Sequence, residues 1–152
     1  MTTTRDEPHG KLPADHIAFL SGRRLGHLVT LRPNGWPHIS NVLYHVDADQ
    51  PIIRISVTDD RVKVRNLRQD PRAVLHVDGP DGWTWLAAEG IAELSPVAAQ
   101  PDDPTVDELA EIYRSIRGED HPDWSEFRTA MVAEKRLVLR IHIRRTYGLL
   151  RR

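Results

Sequence analysis

A chain of 152 residues has the usual size of one domain and is long enough to bury one hydrophobic core. Its 21 Lys and Arg residues nearly balance its 22 Asp and Glu residues, so no overall charge favours nucleic acid or an anionic membrane as a partner. The absence of cysteine excludes disulfides and thiolate metal sites, and no apolar run approaches the roughly 20 residues of a membrane-spanning helix.

The N-terminal segment, residues 1–12, is polar and predicts a loose arm. It lacks the apolar core of a signal peptide, which favours a cytoplasmic protein. Residues 13–150 are expected to form one domain. Its first predicted element is a short helix over residues 13–21, which has a proline near its start and a glycine directly after its end.

The rest of the chain alternates hairpin strands with short helices. The predicted strands cover residues 26–31, 37–46, 52–58, 72–78, 83–94 and 137 to about 144. The predicted helices cover residues 105–116, 123–134 and a segment that Asp59 or Asp60 caps and that ends near residue 69. Asn34-Gly35 is the strongest hairpin signal. This order indicates a mainly β fold, an antiparallel barrel with peripheral helices, rather than a parallel dinucleotide-binding sheet.

Three cations alternate at the start of the helix that follows the third strand: Arg61, Lys63 and Arg65. A helix N-terminus offers unpaired N–H groups and a partial positive charge, while Arg adds a planar fork and Lys a point charge for phosphate oxygens. The pattern therefore predicts a phosphate site. It also fits a solvated basic helix face that is paired with the surrounding carboxylates, Asp59, Asp60 and Asp70.

Polar side chains follow the hairpin glycine. His38 and Ser40 share one face of the predicted strand and Asn41 lies on the other, where such groups can bind the edge of a heterocycle or form an ordinary outward face. Trp36 is expected to be at least partly exposed, either to stack on a planar ligand or to pack in a subunit interface. Trp83 and Trp85 are expected to share a strand face and to serve packing.

No pattern for metal binding or hydrolysis is present. His38 and His45 are seven residues apart and fall on opposite strand faces, and no His-Glu-x-x-His helix occurs, so no metal site is expected. The chain also lacks a nucleophile elbow, a P-loop and a Gly-x-Gly-x-x-Gly motif.

Taken together, the motifs resemble a known family. The run GHLVTLRPNGWPHISNV at 26–42, residues 56–67 and residues 70–72 resemble pyridoxamine 5′-phosphate oxidase-like split barrels. With residues 81–83, 88–90, 101–128 and 147–148, the chain from about 14 to 149 resembles the B group of actinobacterial flavin/deazaflavin oxidoreductases. The resemblance implies a six-stranded antiparallel FMN-binding split β-barrel, an intertwined homodimer with two cofactor sites at the subunit interface.

The resemblance also implies which residues contact the cofactor. Seven are expected to do so: Arg61 and Lys63 at its phosphate, Ser56 and Asn41 near its ring system, Asn66 as a further polar contact, and Trp36 and His38 beside the ring or the substrate. Close relatives often carry a basic or polar residue in place of Trp36, so a relative's substrate does not transfer directly to this chain.

The leading hypothesis is an F420-dependent oxidoreductase that transfers a hydride between the deazaflavin coenzyme F420 and a small organic substrate. Because the cofactor carries the chemistry, no catalytic side chain is assigned, although His38 is the best placed acid or base. Two alternatives remain open. One is an FMN-dependent oxidase or reductase, including pyridoxamine-phosphate oxidation, and the other is a protein that carries F420 without turnover.

Overall fold

The computed structural model describes residues 11–151, so the predicted N-terminal arm lies almost entirely outside the described residues. The elements of this range, in chain order, are α1 (Ala14–Ser21), β1 (Leu25–Leu31), β2 (Pro37–Leu43), β3 (His45–Val46), β4 (Ile52–Thr58), α2 (Val62–Gln69), β5 (Arg72–Asp78), β6 (Trp85–Leu94), α3 (Pro104–Arg117), α4 (Trp124–Ala133) and β7 (Arg136–Leu149). Within residues 11–151, every helix is too short or too polar to cross a membrane.

The strands form one antiparallel sheet in the order β2-β1-β5-β6-β7-β4-β3. The first and last strands of this order are consecutive in the chain and are separated only by Tyr44. The sheet therefore curls until its two edges belong to one continuous segment. The predicted mainly β antiparallel barrel with peripheral helices is confirmed. It has seven strands within the described range rather than six, because the predicted strand 37–46 divides at Tyr44.

Tyr44 divides this strand because both its backbone and its side chain are bonded elsewhere. Its side chain is fully buried, and its hydroxyl donates a hydrogen bond to the carbonyl oxygen of Leu20 at 2.8 Å. Its amide donates to the carbonyl oxygen of Arg24 at 2.9 Å. Burial raises the pKa of the Tyr44 phenol well above its ordinary value, so the hydroxyl stays protonated and keeps donating.

The main core fills the inside of the curled sheet. Alternate residues of β1, β4, β5 and the first half of β7 point inward, as the two-residue period of a strand requires. A smaller apolar cluster lies between α3, α4 and the sheet and consists of Ala98, Val106, Leu109, Ala110, Ile112, Phe127, Met131 and Val138. This second cluster fixes the two helices beside β4 and β7.

A carboxylate on α3 also ties that helix to the sheet. Glu108 accepts hydrogen bonds from Arg54 on β4 and from Arg140 on β7, whose Nε lies 2.8 Å from Glu108 Oε2. Burial alone would raise the pKa of Glu108. The hydrogen bonds and charges of Arg140 and Arg54 outweigh burial and lower the pKa, so the carboxylate remains ionised.

Two local predictions are wrong. The residue that precedes the first turn of α2 is Arg61 rather than Asp59 or Asp60, and Asp59 instead pairs with Arg68 at 2.5 Å. Trp83 lies before the start of β6, because Asp81 accepts hydrogen bonds from the backbone amides of Trp83 and Thr84 and forms a turn there. Trp83 is consequently 67% exposed and does not share a strand face with Trp85.

The last strand runs to Leu149, beyond the predicted end near residue 144. Glu89 pairs with Arg145 while Gly90 pairs with Ile143, so β7 contributes one residue more than β6 at this point of the ladder. Such a bulge shifts the alternation of side chains by one residue. Ile143 therefore points into the core, whereas Tyr147 is directed outward.

We expect Gly90→Ala to lower the free energy of unfolding by about 1–3 kcal/mol, because overpacking a closed site forces the neighbours to move. A Cβ at Gly90 would lie 2.5 Å from the carbonyl oxygen of His142. Urea unfolding followed by circular dichroism measures the change.

The matched control is Gly22→Ala, where φ is −81° and the nearest atom would lie 3.4 Å from the new Cβ. It is expected to leave stability unchanged or to raise it by up to about 1 kcal/mol. Equal stabilities for the two variants would contradict this account of β6 and β7.

Candidate functional site

A cavity of about 460 Å³ opens where β2, β4 and the start of α2 meet. We call it the cation groove. Its lining residues are His38, Ser40, Asn41, Ser56, Val57, Thr58, Arg61, Val62, Lys63 and Arg136. The groove thus brings together five of the seven predicted cofactor contacts, from segments that are far apart in the sequence.

The two predicted phosphate ligands are held by hydroxyl groups. Arg61 Nε donates to Thr58 Oγ1 at 3.0 Å, and Lys63 Nζ donates to Ser40 Oγ at 3.4 Å. Among residues 11–151, no carboxylate lies at ion-pair distance from Arg61 or Lys63. The alternative of a solvated basic face paired with Asp59, Asp60 and Asp70 does not describe these two cations, because Asp59 and Asp70 pair with arginines elsewhere.

A third cation, Arg136 at the start of β7, completes the groove. The register of β4 with β7 sets Thr58 opposite Arg136, and Arg136 Nη1 donates to Ser56 Oγ at 3.2 Å. Arg136 also forms an ion pair with Glu134, in which Nε of Arg136 lies 3.3 Å from Oε2 of Glu134. Sequence reasoning missed Arg136, whose only local signal is its place directly before the last predicted strand. Its position beside Ser56 is a property of strand pairing.

The groove is short of negative charge. Burial lowers the pKa of the half-buried Lys63, and the nearby charges of Arg61 and Arg136 lower it further. The first turn of α2 contains no acidic residue, and Arg61, which precedes it, forms no side-chain cap. Because first-turn amides of a helix are free to donate, an anion bound here would gain both backbone N–H groups and cationic side chains.

His38 presents an unused polar atom. Its Nδ1 is buried and has no hydrogen-bond partner in the part of the chain that the structure describes. Burial lowers the pKa of His38, and the charges of Arg32 and Lys63 lower it further. At neutral pH the ring is therefore uncharged, and it can offer one N–H group and one lone pair to a ligand. An orphaned nitrogen beside three cations fits a polar, anionic ligand.

Two predicted contacts lie apart from the groove. Asn66 is buried, and its Nδ2 donates to Thr30 Oγ1 at 3.1 Å, so its side chain joins α2 to β1. Trp36 lies in the hairpin between β1 and β2, is 71% exposed and does not line the groove. Asn41 borders the groove, but its side-chain oxygen lies 2.8 Å from His27 Nδ1 on the outward face.

A second cavity, of about 520 Å³, continues from the groove toward α3 and α4, and we call it the apolar cleft. It shares four residues with the groove: Asn41, Ser56, Lys63 and Arg136. Its far wall includes Leu109, Ile112, Tyr113, Phe127 and Met131, and its lining also contains the polar side chains of Arg117, His121, Glu126 and Glu134. Both volumes fall within the roughly 300–1,000 Å³ of small-molecule sites, and together they offer a cationic, anion-binding end beside a more apolar one. The sequence did not predict this cleft.

The chain belongs to the pyridoxamine 5′-phosphate oxidase family. The family model matches residues 12–149, nearly the whole length. A relative from Mycobacterium tuberculosis, named F420H(2)-dependent biliverdin reductase, is 33% identical over 148 residues, which cover 97% of this chain and 90% of the relative.

Solved structures agree with this assignment. The conserved hypothetical protein Rv2991 from M. tuberculosis has a TM-score of 0.70 at 25% identity, covering 97% of this chain and 89% of that one. A structure named F420 Reductase has a TM-score of 0.66 at 22% identity, and the match covers 90% of this chain and 98% of that one. The curled sheet with its peripheral helices is therefore the fold of this family.

We expect His38 to titrate below the ordinary value of 6.5 in the folded protein, and Lys63→Gln to raise its pKa, because one of the neighbouring charges is removed. The unfolded chain binds this proton more readily. The contribution of neutral His38 to stability is therefore present above pH 6.5 and is lost as the pH falls through the lower folded pKa. Histidine NMR titration measures the shift.

The control is Arg65→Gln, which removes an exposed cation from the same helix. It is expected to leave the His38 titration unchanged. A His38 pKa above 6.5 in the unmodified protein would contradict the described environment.

Proposed function

We propose that this chain is an F420H2-dependent reductase that delivers a hydride to a small organic acceptor. The observation that carries the proposal is the pair Arg61 and Lys63, which line a cavity beside a helix N-terminus without any carboxylate partner in the described range. The relative at 33% identity over nearly the whole chain, which is named for its dependence on F420H(2), supports this cofactor.

The groove residues would hold the cofactor in a defined orientation. Arg61, Lys63 and the first-turn amides of α2 would bind its phosphate, and Ser56 would lie nearer its ring system, with Asn41 at the border of the groove. When bound, the reduced cofactor supplies a hydride, and a proton from solvent or from a side chain completes the reduction. Arg136 would add a third positive charge where the groove meets the apolar cleft.

The apolar cleft is the proposed acceptor site. Because it shares Ser56 and Lys63 with the cation groove, an acceptor in the cleft would lie directly beside a cofactor in the groove. Its aromatic and aliphatic wall would bind a flat apolar molecule and exclude water from the transfer. His38, uncharged at neutral pH, would act as a hydrogen-bonding group rather than as a cation.

We further propose a homodimer that forms through the outward face of β1 and β2. Leu25 is 55% exposed, Ile39 63% and Leu43 48%. The strand registers put them on the same face of the sheet as Tyr147 and Leu149. Large apolar side chains that are exposed together mark protein contacts, and a second copy of this chain would cover them. The cytoplasmic location expected from the sequence remains part of this proposal.

We expect Arg61→Ala and Lys63→Ala each to weaken F420 binding by about 1.5–3 kcal/mol, roughly 10- to 150-fold, because each would remove a charge-assisted hydrogen bond to phosphate. Fluorescence titration of the purified protein with F420 measures the affinity. The control is Arg72→Ala, an exposed arginine that pairs with Asp70 away from the groove, with less than about a twofold effect.

The same titration distinguishes the alternatives. Tight FMN binding without F420 binding would replace the deazaflavin with a flavin and refute the proposal. F420 binding with no oxidation of F420H2 by any flat apolar acceptor would leave a carrier rather than a reductase. Unchanged F420 affinity in both variants would remove the proposed phosphate site.

We expect Ile39→Glu to shift the protein from dimer to monomer, because a buried unpaired carboxylate would oppose the contact between two copies. Light scattering after size-exclusion chromatography measures the mass. Ala133→Glu, which adds the same charge at an exposed position of α4, is the control and should remain dimeric. A monomeric unmodified protein would refute the dimer.

A further inference from the structure

Two histidines and an aspartate meet on the outward face of the sheet, away from the lining of the cation groove. β1 pairs with β5 so that His27 lies directly opposite His76, and Asp78 follows His76 by two residues on the same face. One side-chain ligand atom from each of the three residues lies within 4.8 Å of the other two. Sequence spacing did not reveal this cluster because its members come from two strands.

The distances suit a small divalent ion. His27 Nε2 lies 3.0 Å from Asp78 Oδ2, and His76 Nδ1 lies 3.7 Å from Asp78 Oδ1. Ligands at about 2.0–2.1 Å from a tetrahedral Zn²⁺ are about 3.3–3.4 Å apart, close to the two distances from the imidazole nitrogens to the Asp78 carboxylate. All three ligand atoms lie within 4.8 Å of one another, so the two rings would have to close on a shared ion.

The hydrogen bond of His27 to Asn41 also favours a cation between His27 and Asp78. His27 Nδ1 lies 2.8 Å from the side-chain oxygen of Asn41, which accepts a proton only if Nδ1 carries one. The neutral ring then has a lone pair on Nε2, which faces a carboxylate oxygen at 3.0 Å. Two lone pairs this close repel each other unless a cation lies between them.

A proton alone satisfies only part of this arrangement. Protonated His27 would form an ion pair with Asp78 Oδ2, and this environment does raise the pKa of His27, through hydrogen bonds to Asn41 and Asp78. His76 Nδ1 would still face Asp78 at 3.7 Å, which is too long for a hydrogen bond. A metal ion uses all three ligands.

Neighbouring side chains, Asn41 and Trp85, orient the two imidazole rings. Asn41 supports His27 as outer groups commonly support a metal-bound histidine, by accepting the N–H of the other ring nitrogen. The ring of His76 stacks on Trp85, with centroids 5.3 Å apart and an interplanar angle of 17°. These contacts preset the directions of Nε2 on His27 and Nδ1 on His76.

We propose that His27, His76 and Asp78 bind a divalent first-row transition metal ion such as Zn²⁺, with a fourth position left to water. Two imidazoles with one carboxylate favour such ions over Mg²⁺ or Ca²⁺, which prefer oxygen ligands. All three ligands come from one chain. They lie on the same outward face as the proposed dimer contact, and Asn41, which supports His27, also borders the cation groove. Zn²⁺ binding is measured without F420, so its outcome is distinguishable from that of the proposed F420 chemistry.

Equilibrium dialysis of the untagged full chain against Zn²⁺, with metal analysis, tests the site. We expect the unmodified protein to retain a single Zn²⁺ per chain, and His76→Asn and Asp78→Asn each to weaken binding about tenfold or more. The matched control is His142→Asn. His142 Nε2 also lies 3.1 Å from a carboxylate, Glu93, at similar exposure, but no third ligand completes that pair in the described range. It is expected to change Zn²⁺ affinity by less than about twofold.

A second measurement needs no variant. Zn²⁺ should shift the imidazole nitrogen resonances of His27 Nε2 and His76 Nδ1 in the unmodified protein and leave those of His142 in place. Three outcomes would overturn the site: no Zn²⁺ retention by the unmodified protein, undiminished binding in His76→Asn, or equal resonance shifts at His142 and His27.

Discussion

The segment from Pro37 to Val46 pairs with two different strands, and the architecture depends on the point where it changes partner. β2 pairs with β1, and β3 pairs with β4. Tyr44 lies between β2 and β3 and is held in the core by hydrogen bonds to the carbonyl oxygens of Leu20 and Arg24. This change of partner brings the two edges of the sheet together, so that β2 lies beside β4. The cation groove exists at this junction, because its residues come from both strands and from the helix that begins where β4 ends.

Local patterns predicted most of the fold, and tertiary pairing explains what they missed. The hairpin at Asn34-Gly35, the alternating strands and the helices all depend on neighbouring residues, so they could be found from the sequence. The division at Tyr44 and the continuation of β7 depend on distant partners.

In the site, Arg61 and Lys63 were found because they lie at the start of one helix. Arg136 and the apolar cleft were missed because the β4–β7 register and the packing of α3 and α4 create them. Asn66 has the right sequence position but faces Thr30 in the core.

Charge is distributed differently along the outer face of β4 and β7. Beside α3, Glu108 neutralises Arg54 and Arg140, so that these arginines serve to attach the helix. In the groove, Arg61 and Lys63 are held by hydroxyls, which orient them without neutralising them. A protein that needed these cations only for stability would be expected to pair them, as it pairs Arg54 and Arg140. Leaving them uncompensated preserves their attraction for an anion.

The bulge between Glu89 and Gly90 gives one strand two different environments. Up to Ile143, the odd-numbered residues of β7 lie in the barrel interior, and from Arg145 onward they face the surface that carries Leu25 and Ile39. A single inserted position thus lets one uninterrupted strand serve the folding of its own chain and then present Tyr147 and Leu149 to a neighbour. Removing that position would exchange the two faces beyond it, directing Thr146 and Gly148 outward and forcing an aromatic ring toward the core.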